Sequence, residues 1–104
     1  MSRIIVSTNS NATSGDVGKL MIFTNSVTYT FTLNGGYPGK RFEFFNSSGS
    51  TAVIKFADQV KINTQTAGGS GLSITLAPDE HILVMGIDTD EYVAWLSNSV
   101  SVAP

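Results

Sequence analysis

Residues 72–96 constrain the fold more than any other stretch, because they hold three short apolar runs separated by two turns. In the first run, apolar residues alternate with Ser73 and Thr75, the period-two pattern of a strand with one buried face. The second run, residues 82–85, is apolar throughout, which is typical of a strand buried on both faces or lying across an interface. The third run contains Trp95, the only Trp. This stretch predicts β-structure.

The turn between the first two runs has the sequence Ala-Pro-Asp-Glu at positions 77–80. Pro78 suits the first central position of a type I turn, and Asp79 suits the second. Asp88, Asp90 and Glu91 mark the next turn and put three carboxylates within four residues. Such clustered oxygens suit hard cations, but they are more typical of an exposed turn whose Asp side chains bond their own backbone.

Similar runs recur along the chain and indicate its fold class. Residues 27–33 alternate apolar side chains with three Thr, and Phe42 and Phe44 alternate with Arg41, Glu43 and Phe45. Strands are expected about every 8–12 residues, and no window of about 12 residues has helical periodicity. The 104 residues therefore predict a single all-β domain, residues 1–104, with a β-sandwich or jelly-roll architecture.

The N-terminal segment, residues 1–18, predicts a strand or extended arm followed by a flexible loop. Ile4, Ile5 and Val6 form a β-branched run, and the residues after it are polar and rich in turn formers. A buried strand is expected over residues 19–24. Asn25-Ser26 then predicts a two-residue turn into the next strand.

Composition and charge disfavour several classes of protein. The formal net charge is −2 and the six Lys and Arg residues are scattered, which disfavours nucleic-acid binding. The chain has no Cys and therefore no disulfide or thiolate chemistry. No apolar run approaches the roughly 20 residues of a membrane helix, and the first residues become polar too soon for a signal peptide. We expect a protein that is made without export and has no membrane partner.

No catalytic, cofactor-binding or metal-ligating residue is assigned from the sequence. His81 is the only His, and no Gly-x-Ser-x-Gly motif is present to supply a nucleophile. A glycosidase would need two facing carboxylates, and nothing in the sequence selects a pair. We therefore expect no enzyme activity and interpret His81 as a strand-end or interface residue.

Five segments of the chain resemble the small β modules of tailed-phage virion proteins, which occur in tail fibres, tail needles and capsid-decorating proteins. The resemblance covers about 60 of the 104 residues. It is carried by residues 38–46 (Pro-Gly-Lys-Arg-Phe-Glu-Phe-Phe-Asn), residues 52–56, residues 60–62, residues 72–80 and the aromatic pair Tyr92 and Trp95. The pattern is one of strands and contains no catalytic residues.

The resemblance implies a structural protein of the virion, made in the cytoplasm of the bacterial host and assembled as a homotrimer. A chain of 104 residues has no room for the shaft of a tail fibre, so we expect a capsid decoration (cement) protein. Its partner would be the major capsid protein, and it would stabilise capsomer junctions at the head surface. The alternative is a tail-fibre or tail-tip domain that binds a receptor or carbohydrate, such as a host surface glycan.

Under the first hypothesis, apolar residues of the N-terminal run and of the C-terminal strands are the interface candidates. They are Ile4, Ile5, Val6, Ile82, Val84, Tyr92 and Trp95. Under the alternative, Tyr37 is the ligand-binding candidate, because an aromatic ring in a turn can stack on a sugar.

Overall fold

In the computed structural model, the described part of the chain is built almost entirely from short β-strands. The structure describes residues 2–31, 38–57, 61–63, 65–66, 71–88, 91–96, 100 and 102–103. The strands are β1 (Arg3–Val6), β2 (Ser10–Asn11), β3 (Leu20–Phe23), β4 (Thr28–Phe31), β5 (Arg41–Asn46), β6 (Ala52–Phe56), β7 (Lys61–Ile62), β8 (Gln65–Thr66), β9 (Ser73–Leu76), β10 (His81–Asp88), β11 (Glu91–Trp95) and β12 (Val102–Ala103). A single 3-10 turn, Ser14–Asp16, lies between β2 and β3. The predicted all-β class is confirmed.

The strands form two sheets with both parallel and antiparallel pairs. Sheet A has seven strands in the order β1-β3-β5-β10-β11-β7-β8, and sheet B has five in the order β12-β9-β6-β4-β2. The first six strands alternate between the sheets, so β1, β3 and β5 pair in parallel in sheet A, and β2, β4 and β6 do so in sheet B. Each connection therefore crosses from one sheet to the other instead of closing a hairpin.

The second half of the chain runs back against this parallel stack. Strand β9 is antiparallel to β6, and β10 is antiparallel to β5. Strand β11 then returns along β10 as an antiparallel neighbour, with a bulge between Gly86 and Asp88. The longest strand, β10, thus lies between β5 and β11 near the middle of sheet A.

The core consists of side chains that point from each sheet toward the other. Phe31 of sheet B contacts Phe42 of sheet A edge to face, with ring centroids 4.9 Å apart. Tyr29 and Phe44 make a similar contact at 5.1 Å. All four side chains are fully buried. Such rings bury large apolar areas and favour edge-to-face geometry, so they join the two sheets into one core.

Two predicted turns differ from their expected form. Asn25-Ser26 does not close a hairpin, since β3 and β4 lie in different sheets. Instead the Ser26 hydroxyl donates to the Thr51 carbonyl, in the connection between β5 and β6. In the turn at 77–80 the Glu80 amide does donate to the Ala77 carbonyl at 3.2 Å. However, Asp79 has φ +68°, which makes the turn type II and not type I.

The N-terminal segment is incorporated into both sheets instead of extending as an arm. Strand β1 pairs with β3, and β2 pairs with β4. The polar segment that follows β2 is held by Asp16, whose carboxylate accepts a 2.6 Å hydrogen bond from the hydroxyl of buried Tyr29. The Thr13 amide donates to the same carboxylate at 3.2 Å. The segment predicted to be a flexible loop is thus hydrogen-bonded to the core.

We expect Tyr29→Phe to lower the free energy of unfolding by about 1–2 kcal/mol, because a hydrogen bond to a charged acceptor contributes about that much or slightly more. Denaturant unfolding of the single variants Tyr29→Phe and Asp16→Asn and of the double variant would measure it. If the bond connects these two side chains, the double variant should lose less than the two single losses combined. Strictly additive losses would show that the bond contributes nothing.

Candidate protein-binding surface

The side of sheet A that faces away from the core is unusually apolar, and we call it the outer face of sheet A. Its side chains alternate along each strand with the core residues. Eight apolar residues lie on it: Ile5, Leu20, Ile22, Phe45, Leu83, Met85, Val93 and Trp95.

Strand register arranges these side chains in adjacent rows across the sheet. In one row Leu20 and Leu83 lie on either side of Glu43, and Trp95 lies beyond Leu83. In the next row Ile5, Ile22 and Phe45 follow one another. Neighbouring strands lie about 4.8 Å apart, so side chains paired within a row are direct neighbours. The apolar side chains therefore lie side by side in one patch, which Glu43 interrupts in the first row.

Two residues of this patch are far more exposed than large apolar side chains usually are. Ile5 is 53% exposed and Trp95 is 52% exposed. They lie on strands at opposite sides of the patch, with β3, β5 and β10 between them. The other six apolar residues of the patch are partly exposed. Contiguous apolar surface of this kind marks interaction sites more often than it occurs on the free surface of a monomer.

The opposite side of the molecule provides an internal comparison. The outward positions of β4, β6 and β9 in sheet B are mostly polar: Thr28, Thr30, Val53, Lys55, Ser73 and Thr75. Each sheet packs one face against the shared core. Packing of the core therefore does not explain why the two outer faces differ. A solvated sheet face is usually polar, as in sheet B. Sheet A departs from that rule.

The sequence-predicted interface residues divide between surface and core. Ile5 and Trp95 lie on the outer face of sheet A. Ile4 is partly buried and packs against the core. The interface prediction is wrong for the remaining four, which have at most 4% exposure inside the chain's own core: Val6, Ile82, Val84 and Tyr92. Their strands turn these positions inward, so a partner cannot reach them in the folded protein.

Sequence reasoning missed the outward residues of the same strands. Leu83 and Met85 alternate with the core residues of β10, and Ile22 alternates with those of β3. The signal was the continuous apolar run, since both the even-numbered and the odd-numbered residues of 82–85 are apolar. That run did indicate a strand that is apolar on both sides. The run could not show whether the even-numbered or the odd-numbered residues face the core.

The polar candidates do not assemble into a chemical site within the described residues. His81 is exposed at the start of β10, and Asp88 is exposed at its end. Glu91 lies 3.8 Å from the Lys61 ammonium in a half-exposed ion pair. No group of three or more His, Asp or Glu side chains in the described part of the chain could hold a metal ion. Tyr37 and Asp90 lie outside the described residues.

Asn63 fixes the position of β11, the strand that presents Trp95. Its side-chain amide donates to the Ala94 carbonyl at 2.9 Å and accepts from the Ala94 amide at 2.8 Å. The side chain thus replaces a peptide group and continues the pairing of β7 with β11. The residue adopts φ +49°, a conformation that Asn tolerates better than most residues.

We expect Asn63→Ala to lower the free energy of unfolding by about 2–3 kcal/mol, because it removes both hydrogen bonds and leaves Ala in a left-handed conformation. Asn63→Gly removes the bonds but accepts the backbone angle, so its loss should be smaller. Denaturant unfolding of the two variants separates the two contributions. Wild-type stability of Asn63→Gly would mean that the side-chain bonds do not hold β11.

Comparison of the chain with protein-family models, curated proteins and solved structures gave no match. The described residues include no helix long and apolar enough to cross a membrane.

Proposed function

We propose that this chain is a structural protein without catalytic activity that binds another protein through the outer face of sheet A. In the setting that the sequence resembles, it is a capsid decoration protein on the head of a tailed phage, and its partner is the major capsid protein. It would act by burying apolar surface at capsomer junctions, which adds binding energy to the shell without chemistry.

The observation that supports the proposal is the contrast between the two outer faces. Strand spacing of about 4.8 Å and a rise of about 3.3 Å per residue give the apolar face, five strands wide and five residues long, a footprint of roughly 400 Å². Functional patches on monomers are commonly of this size. Most of the central side chains, such as Phe45 and Leu83, are aliphatic or aromatic, and Glu43 is the charged residue among them. Arg3, Arg41 and Glu91 lie nearer the margins. An apolar centre with a polar rim is typical of protein-binding surfaces.

We further propose that the two sheets form a β-sandwich. Two sheets with a shared aromatic core suit a β-sandwich module. The parallel crossing strands β1 to β6 differ from a jelly roll, whose strands pair antiparallel. The resemblance to phage modules further implies that several copies assemble. We propose that their apolar faces turn toward the shell.

A second candidate function is suggested by Trp95. An indole ring that is half exposed on a sheet can stack on a sugar, as a tail-tip carbohydrate-binding domain would require. Its neighbours, however, are Leu83 across the strand pair and Val93 on its own strand, which offer no hydrogen bonds to sugar hydroxyls. These surroundings favour a protein partner over a glycan.

The two functions are separated by binding assays with purified phage heads and with a glycan array. We expect the wild-type protein to co-sediment with heads that lack it, and to give no glycan signal above that of a Trp95→Ala variant. Failure to bind heads would contradict the decoration function. A glycan signal that Trp95→Ala or Tyr37→Ala abolishes would establish the carbohydrate-binding alternative instead.

A further inference from the structure

The edges of the two sheets differ in their capacity to pair with another chain. Edge strands expose unpaired backbone groups, and proteins commonly protect them by keeping them very short. Three edges follow this rule in the described part of the chain, because β2, β8 and β12 span two residues each. Strand β1 is the exception, with four residues of sequence Arg-Ile-Ile-Val. It has no Pro, no bulge and one charge.

The hydrogen bonds between β1 and β3 define which backbone groups of β1 face outward. The Leu20 amide donates to the Ser2 carbonyl, and the Thr24 amide donates to the Val6 carbonyl. In a parallel ladder alternate residues bond the same neighbour, so Ser2, Ile4 and Val6 bond β3. The N–H and C=O groups of Arg3 and Ile5 consequently point away from the sheet. They form two complete donor–acceptor sets at its edge.

We propose that β1 pairs antiparallel with β1 of a second copy of this chain, about a two-fold axis at Ile4. In this register Arg3 lies opposite Ile5 of the other copy, and Ile5 lies opposite Arg3. Each of these pairs exchanges two hydrogen bonds, so all eight outward backbone groups are satisfied in four bonds. Two identical edges that pair in this way form a closed dimer, not a growing fibre.

Charge and side-chain orientation both favour this arrangement over a parallel one. Parallel in-register pairing would place the two Arg3 residues about 4.8 Å apart, whereas the two-fold register separates their Cα atoms by about 8 Å. A two-fold axis perpendicular to the sheet also keeps the same face outward in both copies. Arg3 and Ile5 therefore remain on the outer face, and the two apolar patches join into one surface.

This dimer would replace the trimer that the phage resemblance implies, and it does not depend on what the outer face binds. Trp95 lies four strands from β1, so pairing of the edges leaves it exposed. The dimer can therefore fail while the proposed function holds, and the reverse is equally possible. Light scattering should give twice the 11.0 kDa monomer mass at high protein concentration.

A single introduced Cys provides a direct test, because the chain has none of its own. At the two-fold axis the Ile4 Cα atoms of the two copies would lie about 4.5 Å apart, within the range that a disulfide can span. We expect Ile4→Cys to form a covalent dimer on mild oxidation. Ser2→Cys is the control, since its Cα atoms would be about 14 Å apart. Equal cross-linking of both variants, or of neither, would overturn the proposal.

Ile5→Pro tests the same edge without a cross-link. The Ile5 amide faces outward, so Pro leaves the bonds to β3 intact but removes a donor from the dimer. We expect a monomer by light scattering with little change in thermal unfolding. Ile5→Thr keeps the amide and the β-branch and should remain dimeric. A wild-type protein that is monomeric or trimeric at high concentration, or an Ile5→Pro variant that is still dimeric, would contradict the proposal.

Discussion

Replacing Asn46 with Ala is expected to lower the free energy of unfolding by about 3–4 kcal/mol, among the largest losses of any single polar residue in this protein. Asn46 is fully buried. Its side-chain amide donates to the carbonyls of Ser50, at 2.8 Å, and Leu76, at 3.0 Å. Its side-chain oxygen accepts from the Ser48 amide at 3.0 Å. Alanine would leave several of these backbone groups without a partner, at about 1–3 kcal/mol for each buried one.

Asn46 has this effect because it links two connections between the sheets, the one from β5 to β6 and the one from β9 to β10. Its backbone accepts from the Asp79 amide and donates to the Glu80 carbonyl, while its side chain binds the connection after β5. Denaturant unfolding would measure the loss. Ser48→Ala, which removes only a partly exposed hydroxyl, is the control and should cost about 1 kcal/mol or less. A loss below about 1 kcal/mol for Asn46→Ala would mean that water can replace the network.

Placing a carboxylate in the middle of the apolar face should abolish partner binding. We expect Leu83→Asp to weaken binding to phage heads by about 100-fold or more, because a charge buried at an interface without a partner costs several kcal/mol. Leu83 lies between Glu43 and Trp95 in register, so the substitution reaches the centre of the patch. The side chain points outward from β10, and stability of the free protein should change little.

Thr75→Asp on the outer face of sheet B is the matched control, since it adds the same charge to an exposed strand position on the other side of the molecule. It should bind heads like the wild type. Co-sedimentation over a range of protein concentrations would give both affinities. If the two variants bind equally well, the outer face of sheet A is not the docking surface. If Thr75→Asp alone loses binding, the protein docks through sheet B.

Much of the local structure could be predicted from the sequence. The alternation of Phe42 and Phe44 with charged neighbours gave the correct inward side of β5, and the Thr residues of β4 lie on the solvent side as expected. These predictions succeeded because strand periodicity directly reflects which side of a strand is buried. The turn at 77–80 was located correctly as well, since Pro78 restricts the backbone there.

The pairing of strands could not be predicted. Periodicity indicates which residues share a face, but it does not say which strand lies beside which, and Asn25-Ser26 can turn the chain within a sheet or between sheets. The chain crosses to the other sheet at Asn25-Ser26, and such crossings allow β1, β3 and β5 to pair in parallel. When a strand is apolar on both sides, as β10 is, the sequence does not show which of its two sides faces the core. For that reason the sequence of residues 82–85 fits either a core strand or an interface, and the structure places Ile82 and Val84 in the core.

Asn46 was missed for a related reason. In the sequence it ends an apolar strand and begins Asn-Ser-Ser, which resembles a turn or a glycan acceptor. Its importance depends on the Leu76 carbonyl, which is 30 residues away. Only the antiparallel return of β9 and β10 along β6 and β5 brings these groups together.

We expect the outer face of sheet A to be covered when the protein is bound to its partner. Hydroxyl-radical footprinting with mass spectrometry, on free protein and on protein bound to heads, tests it most directly. We expect oxidation of Trp95 and Met85 to fall several-fold on binding. Lys55 and Thr75 should be unaffected, and buried Met21 should stay unreactive in both states. Protection of Lys55 and Thr75 with unchanged oxidation of Trp95 would contradict the claim.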